Sequence, residues 1–311
     1  MDFVKTTDTF LSTNGVNNVK YFVYAPTEGA PKAMIQLIHG MAEHVERYED
    51  YIANFTAQGY LVYGDNHIGH KDSVSTDEDL GYFAPKDGWR YMVQDEILLT
   101  EKMKEAYPGI PVFLYGHSMG SFLTRAYLAL RGELVNGAVI SGSAGPNPAL
   151  GAGKVVTKLV KIKGEKYRSP FITKVMFGSY NSHIPNAETD YDWLTRDKEI
   201  VKKYNEDPYC GFMFTISGYL DLENLLGFVT DKGWYDKLPL ALPMFFISGE
   251  EDPVCNWGDG MRKVDAEMQK RDFADYSMKL YPGMRHELHN EIGREEVVAD
   301  VLGWLEEHMQ A

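Results

Sequence analysis

The sequence predicts an α/β protein: a mainly parallel sheet with helices on both faces and an inserted helical cap. Three observations lead there. Short apolar runs, of the kind buried on both faces, alternate with helical-period segments over residues 33–143. The alternation stops over residues 145–228, where Gly/Pro punctuation, aromatic residues and a basic stretch occur without a convincing buried strand. It resumes at Leu242 and continues to the end of the chain. The expected organisation is a core of residues 1–144 and 229–311 enclosing a cap of residues 145–228.

In chain order, residues 3–26 alternate polar and apolar around Ser12-Thr13-Asn14-Gly15, the pattern of an antiparallel hairpin. Residues 33–38 read as a buried strand closing on His39-Gly40-Met41, and residues 43–58 as a helix stopped by Gly59. Residues 60–65 are a further short strand, followed by the polar loop 66–73. Residues 89–107 are helical, broken by Pro108-Gly109. The apolar run 112–115 then meets Gly116-His117-Ser118-Met119-Gly120, after which Phe122, Leu123, Ala126, Tyr127 and Leu130 recur at helical spacing. Residues 136–143 supply one more strand before the cap. Beyond the cap come a strand at 242–249, a helix at about 258–270, a strand at 276–281 and an amphipathic helix at 297–308.

With 311 residues, 44% hydrophobic and 24% charged, the chain can bury one large core and carry an inserted lobe. No run reaches the roughly 18 apolar residues of a membrane span. Met1-Asp2-Phe3-Val4-Lys5-Thr6 lacks the basic start and apolar stretch of a secretory leader, so a cytoplasmic protein is expected. Cys210 and Cys255 form neither a disulfide framework nor a zinc spacing; reduced thiols, no metal and no cofactor are the expectation. A net charge of −14 and a pI near 5.1 argue against nucleic acid as a partner, since that binding draws on a basic face. Locally the balance reverses: Lys154, Lys158, Lys161, Lys163, Lys166, Arg168 and Lys174 stand against Glu165 alone. Interleaved with Val155, Val156, Leu159, Val160 and Ile162, these lysines suit either an amphipathic helix in peripheral contact with an anionic membrane or a solvated lysine face.

A serine between strand and helix, flanked by glycines, is held in a strained turn that lifts its hydroxyl above the sheet. Ser118 is therefore the candidate nucleophile. The short pattern carries little weight alone, so it must find partners. A hydroxyl needs a base to take its proton and a carboxylate to orient that base. The carboxylate is best placed at Asp252, in Gly249-Glu250-Glu251-Asp252-Pro253 after an apolar strand, with Glu250 and Glu251 as rivals. For the base, His286 lies just past the turn that ends the last strand, whereas His289 falls one helical turn further on and is expected to be a solvated helix residue. An oxyanion needs two backbone N–H donors. Met119 supplies one by position, and Met41, after Gly40, supplies the other. His67 and His70 read as hydrogen-bonded loop residues, with no carboxylate or cysteine spaced for a shared metal, and His117 as structural.

His39-Gly40-Met41-Ala42-Glu43-His44, Gly116-His117-Ser118-Met119-Gly120, Gly249-Glu250-Glu251-Asp252-Pro253-Val254 and Arg285-His286-Glu287 occur in this order. Together they make the chain resemble, over essentially its full length, the α/β-hydrolase fold and specifically the monoacylglycerol lipase and lysophospholipase family. The cap stretches Asp192-Trp193-Leu194-Thr195-Arg196-Asp197 and Asp207-Pro208-Tyr209-Cys210-Gly211-Phe212 are similar to those of bacterial lysophospholipase-like members. The resemblance implies the roles argued above for Ser118, His286, Asp252, Met41 and Met119. It also implies a cofactor-independent serine hydrolase acting on a small lipid-like ester, a monoacylglycerol or lysophospholipid. Two departures concern the scaffold: Asn66-His67-Ile68-Gly69-His70-Lys71 stands where the family often has Asp-His-x-Gly-His-Gly, and Ser121 where it often has a second glycine. Thioesterases, peptidases and acyltransferases use the same triad, while a non-catalytic binding module would be expected to have lost a member of it. A cap above the serine would form the acyl pocket, with Phe171, Met176, Phe177, Phe212 and Phe214 expected to line it.

Overall fold

The structure, a computed structural model, describes residues 3–309. Its strands are β1 (Phe3–Leu11), β2 (Asn18–Pro26), β3 (Ala33–Ile38), β4 (Tyr60–Asp65), β5 (Val112–His117), β6 (Gly137–Ser141), β7 (Met244–Gly249) and β8 (Tyr276–Tyr281). They form one sheet in the order β1-β2-β4-β3-β5-β6-β7-β8. The first two pairings, β1 with β2 and β2 with β4, are antiparallel; every other pairing is parallel. The hairpin closes through a tight turn in which Gly15 takes φ +72°. Each parallel pair instead needs a crossover, and the helical-period segments supply it.

The helices are α1 (Glu49–Thr56), α2 (Gly88–Ala106), α3 (Met119–Arg131), α4 (Leu150–Val160), α5 (Pro170–Phe177), α6 (Lys198–Glu206), α7 (Ile216–Thr230), α8 (Lys232–Tyr235), α9 (Asp259–Met268) and α10 (Arg294–His308). Strand side chains alternate between the two faces. Val112 and Leu114 of β5 pack with α2 and α3 on one side, Phe113 and Tyr115 with α1 and α10 on the other. All six residues of β5 are buried, which explains why the run is apolar without a polar face. β1 is the exposed edge, and its Lys5-Thr6-Thr7-Asp8-Thr9 run is polar, as an unpaired edge requires.

Between β6 and β7 the described residues form helices and no strand. Ser169, with Pro170 behind it, caps α5; Asp197 caps α6 and Thr215 caps α7 through side-chain oxygens that accept backbone N–H groups. α7 lies against α2, α3 and α4, which is why it is apolar around most of its circumference. One boundary differs from the sequence reading. The helix expected over 43–58 opens as a 3-10 turn, Val45–Tyr48, before α1, because the side chains of Glu43 and His44 are engaged with neighbouring segments. Among the described residues no helix is long and apolar enough to cross a membrane.

Parallel pairing from β4 to β8 brings the carboxyl ends of β3, β5, β6, β7 and β8 to one edge of the sheet. The loops that follow them meet there, the usual location of a site in an open parallel sheet.

Candidate active site

Ser118 links β5 to α3 with φ +54° and ψ −120°, a conformation that L-residues rarely adopt. Four contacts hold it. Its N–H donates to the Ser141 carbonyl of β6 (3.0 Å), and its own carbonyl accepts from the Ser121 N–H (2.9 Å), the Phe122 N–H (3.3 Å) and Ser121 Oγ (2.6 Å). The turn also passes so close to β3 and α3 that a Cβ on Gly116 or Gly120 would collide with backbone. Ser121, a departure from the resembled pattern, thus buttresses the turn with its hydroxyl. The other departure is accommodated as well: Asn66 Oδ1 accepts the Val45 N–H (3.0 Å), and Lys71, at φ +36°, extends its amine to Glu46 (2.9 Å).

The loop after β7 turns Asp252 into the protein, fully buried, and leaves Glu250 and Glu251 exposed. Asp252 Oδ1 accepts the Val254 N–H (2.8 Å), and Oδ2 accepts Ser248 Oγ (3.1 Å). Oδ2 also faces His286 Nδ1 at 2.9 Å. His286 is buried, and its Nε2 has no hydrogen-bond partner among the described residues. The imidazole is boxed in by His117 (centroids 4.6 Å apart), by Trp193 (5.0 Å) and by Gly142, where a Cβ would lie 3.0 Å from Cε1. With Nδ1 committed to Asp252 and Ser118 next in the chain to His117, Nε2 is the ring nitrogen free for proton transfer.

The loop after β3 runs alongside Ser118: a Cβ on Gly40 would come 3.1 Å from the Ser118 Cβ. Met119, buried at the start of α3, directly follows Ser118, and Met41, half-buried, directly follows Gly40. Their N–H groups have no acceptor among the described residues. The Gly40 N–H instead donates to Glu43 Oε1 (2.5 Å), which also accepts Tyr48 Oη (2.7 Å). Arg47 joins Glu43 to Glu287, donating through Nη1 and Nη2 at 2.8 Å each to the latter. Burial alone would raise the Glu287 carboxyl, but Arg47 holds it down to about 2. Two segments distant in sequence, the loop after β3 and the loop after β8, are thereby tied together beside the site.

One histidine differs from expectation, and His67, a hydrogen-bonded loop residue as expected, has partners that the spacing did not show. His289 is not solvated. It is 1% exposed, stacked on Tyr48 at 4.2 Å, and burial lowers its pKa to about 3. The spacing showed no carboxylate for His67, yet the fold places Asp65 and Glu96 each 3.0 Å from His67 Nδ1. Burial opposes the charge, but these two carboxylates push His67 up to about 10. Its Nε2 donates to the His39 carbonyl (3.0 Å), and its ring stacks on His39, the residue before Gly40, at 3.7 Å.

Sequence periodicity missed the aromatic row Tyr219, Phe177, Tyr180, Trp193 and His286, with centroid steps of 6.3, 5.4, 4.8 and 5.0 Å. Of the five residues expected at the acyl pocket, Phe177 is in this row. Met176 and Phe212 are half-buried, Phe214 is fully buried between Phe83 and Tyr219, and Phe171 is 61% exposed.

A mostly parallel sheet whose central strand ends in such a serine turn, with crossover helices on both faces, is an α/β-hydrolase. Residues 29–293 match the sequence model of the family described as serine aminopeptidase, S33, and the chain belongs to that family. It is 29% identical over 303 residues to the monoacylglycerol lipase of Mycolicibacterium smegmatis, covering 96% of each chain. To the monoglyceride lipase of Homo sapiens it is 28% identical over 275 residues, covering 86% of this chain and 80% of that one. Among solved structures, a thermostable carboxyl esterase from Bacillus coagulans in complex with glycerol superposes with a TM-score of 0.90 at 29% identity, covering 99% of both chains.

Proposed function

We propose that this protein is a cofactor-independent serine hydrolase that cleaves small lipid esters, monoacylglycerol or lysophospholipid, through an acyl-enzyme. The observation that carries the reading is the buried Asp252–His286 pair, with Nε2 open, beside the strained Ser118. Ser118 Oγ attacks the ester carbonyl carbon as His286 Nε2 takes its proton. The oxyanion is received by the N–H groups of Met41 and Met119, each worth about 2.7–4 kcal/mol in the transition state. Collapse expels the alcohol, which receives the proton from His286; water then attacks the acyl-enzyme with His286 as base. Asp252 fixes the tautomer throughout. The lipid substrate is supported by the two lipase relatives and by an esterase relative solved with glycerol. Met176, Phe177 and Phe212 are assigned to the acyl pocket; Phe214 backs Phe212 at 5.8 Å, and Phe171 acts at the surface.

The test compares wild type, Ser118→Ala and His286→Ala against a fluorophosphonate probe and p-nitrophenyl esters of graded chain length. Wild type alone is expected to label, and Ser118→Ala to lose about a millionfold in turnover. A wild type that neither labels nor turns over any ester overturns the proposal.

The finer proposal is peripheral contact with anionic membrane through the cap. Val155, Leu159, Ile162, Phe171 and Val175 are 58–84% exposed amid the basic stretch, an apolar surface a soluble face would not require. Charge reversal at Lys158, Lys161 and Lys163 is expected to abolish binding to anionic liposomes at low salt. Wild type that stays unbound there rejects the contact.

A further inference from the structure

Outside the site, the fold brings together one set of metal-ligating side chains that no sequence spacing announces. His44 lies on the loop after β3, three residues beyond Met41, whereas Asp207 and Cys210 lie in the turn after α6. One donor atom from each, imidazole nitrogen, carboxylate oxygen and thiol sulfur, falls within 4.8 Å of the other two. His44 Nε2 is 2.9 Å from Asp207 Oδ2. Its Nδ1 faces Glu46 Oε2 at 3.0 Å, the outer carboxylate that commonly fixes the tautomer and ring orientation of a metal-bound histidine; Lys71 Nζ, which donates to Glu46 Oε1 at 2.9 Å, lies 3.3 Å from the same nitrogen. Asp207 Oδ1 is occupied by the Tyr209 N–H (2.8 Å), so Oδ2 is the oxygen left for the cluster.

The remaining cluster of this kind, Asp65, His67 and Glu96, is entirely buried and already closed as an ion pair, with both carboxylates 3.0 Å from one nitrogen. The His44 cluster is likewise paired, with His44 lying between Glu46 and Asp207, but it is not closed off from solvent and it holds a sulfur. Asp207 and Cys210 are half-buried, which leaves a path from solvent, and Cys210 is a free thiol. Cys255, by contrast, is buried and its sulfur takes the Gly258 N–H at 3.2 Å.

We propose that His44, Asp207 and Cys210 form a binding site for a thiophilic divalent cation of the zinc class. Nitrogen, oxygen and sulfur ligands bind zinc at about 2.0–2.3 Å, so tetrahedral neighbours lie about 3.3–3.8 Å apart. His44 Nε2 and Asp207 Oδ2, 2.9 Å apart, open by about 0.4 Å as the cation replaces the proton between them, and neither pair with sulfur, each within 4.8 Å, needs to close by more than about 1.5 Å. With the ring proton on Nδ1 toward Glu46, Nε2 presents its lone pair; Cys210 gives up its thiol proton to solvent and binds as thiolate; Asp207 Oδ2 completes three ligands and water takes the fourth position. The turn after α6 already touches the loop after β3, since the Gly211 N–H (2.9 Å) and Tyr204 Oη (3.1 Å) both donate to the Ala42 carbonyl. A bound cation would fasten that contact, which meets the loop at Ala42 and His44, one and three residues beyond Met41. The proposal does not depend on the reaction assigned to Ser118.

The experiment titrates the whole reduced protein with Cd2+ and follows the thiolate-to-cadmium charge-transfer absorbance, then competes with Zn2+. One cadmium per chain is expected, displaced by zinc, with the band absent in Cys210→Ser and affinity at least tenfold weaker in Asp207→Asn. Both variants substitute near-isosteric side chains, and each is checked for unchanged melting temperature without metal. Absence of the band in wild type, or a band and affinity unaltered in both variants, overturns the site.

Discussion

Ser118 holds a backbone conformation of the kind that costs about 1–3 kcal/mol, and it persists because its N–H, its carbonyl and both flanking glycines are all committed. Asp252 is positioned with the same economy: one oxygen is fixed by Val254 N–H, and the other is shared by Ser248 and His286. That division makes Asp252→Asn an informative change. The amide keeps one acceptor, so the loop should stay folded, but its NH2 group cannot accept from Nδ1–H and instead favours the wrong imidazole tautomer. Turnover of p-nitrophenyl butyrate is expected to fall about ten-thousandfold with the melting temperature nearly unchanged. A loss below tenfold would remove Asp252 from the orienting role. Such residues were legible in the sequence because each follows an apolar strand at a recognisable turn. His289 was not: three residues beyond His286 it reads as a helix surface, and only the approach of Tyr48 and His117 from other segments buries it.

Among the elements, the strands were the easiest to read, since β3 to β7 are buried on both faces and must be apolar throughout. What holds their loops in register was hidden, because it depends on charges brought together across the fold. Arg47, in the 3-10 turn before α1, bridges Glu43 on the β3 loop and Glu287 beside His286, and stacks its guanidinium 4.6 Å above Tyr204 of α6. Glu43 and Glu287 are 3% and 1% exposed. Arg47→Met therefore strands two buried carboxylates, and removing one partner of a buried pair costs about 3–5 kcal/mol. Urea unfolding should show a loss of that size, with part of it restored in Arg47→Met/Glu287→Gln. A loss below about 1 kcal/mol would mean that the network is dispensable. The helices between β6 and β7 were legible as a class but not in their contacts. The aromatic row from Tyr219 to Trp193 spans three separate segments, and no single periodicity contains it.

Across the whole molecule, the buried ionisable groups set a direction for stability against pH. Burial raises Glu96 to about 8 and both Asp221 and Glu223 to about 7. In the unfolded chain these carboxyls titrate near 4, so between about pH 4 and 8 the native state binds more protons than the unfolded state, and stability falls as pH rises. Four buried histidines act in the opposite sense at lower pH. His70 and His289 are lowered to about 3 by burial, and His39 and His117 also lie well below their ordinary value. Their unfolded forms are still half protonated at about pH 6.5 and give up the rest by about pH 7.5, so their pull ends there. His67, held up at about 10 by Asp65 and Glu96 against the cost of burial, adds to the carboxylates above that point. From about pH 7.5 to 8.5 every one of these terms that still changes has the same sign. At fixed ionic strength, the melting temperature is therefore expected to fall across that interval. In Asp221→Asn/Glu223→Gln the fall should be shallower, because the amides retain an acceptor for the α2 N-terminus and for Thr157 Oγ1 without a charge to desolvate. A melting temperature that rises from about pH 7.5 to 8.5, or a slope identical in the double variant, would show that these carboxyls titrate in the native protein near their ordinary values.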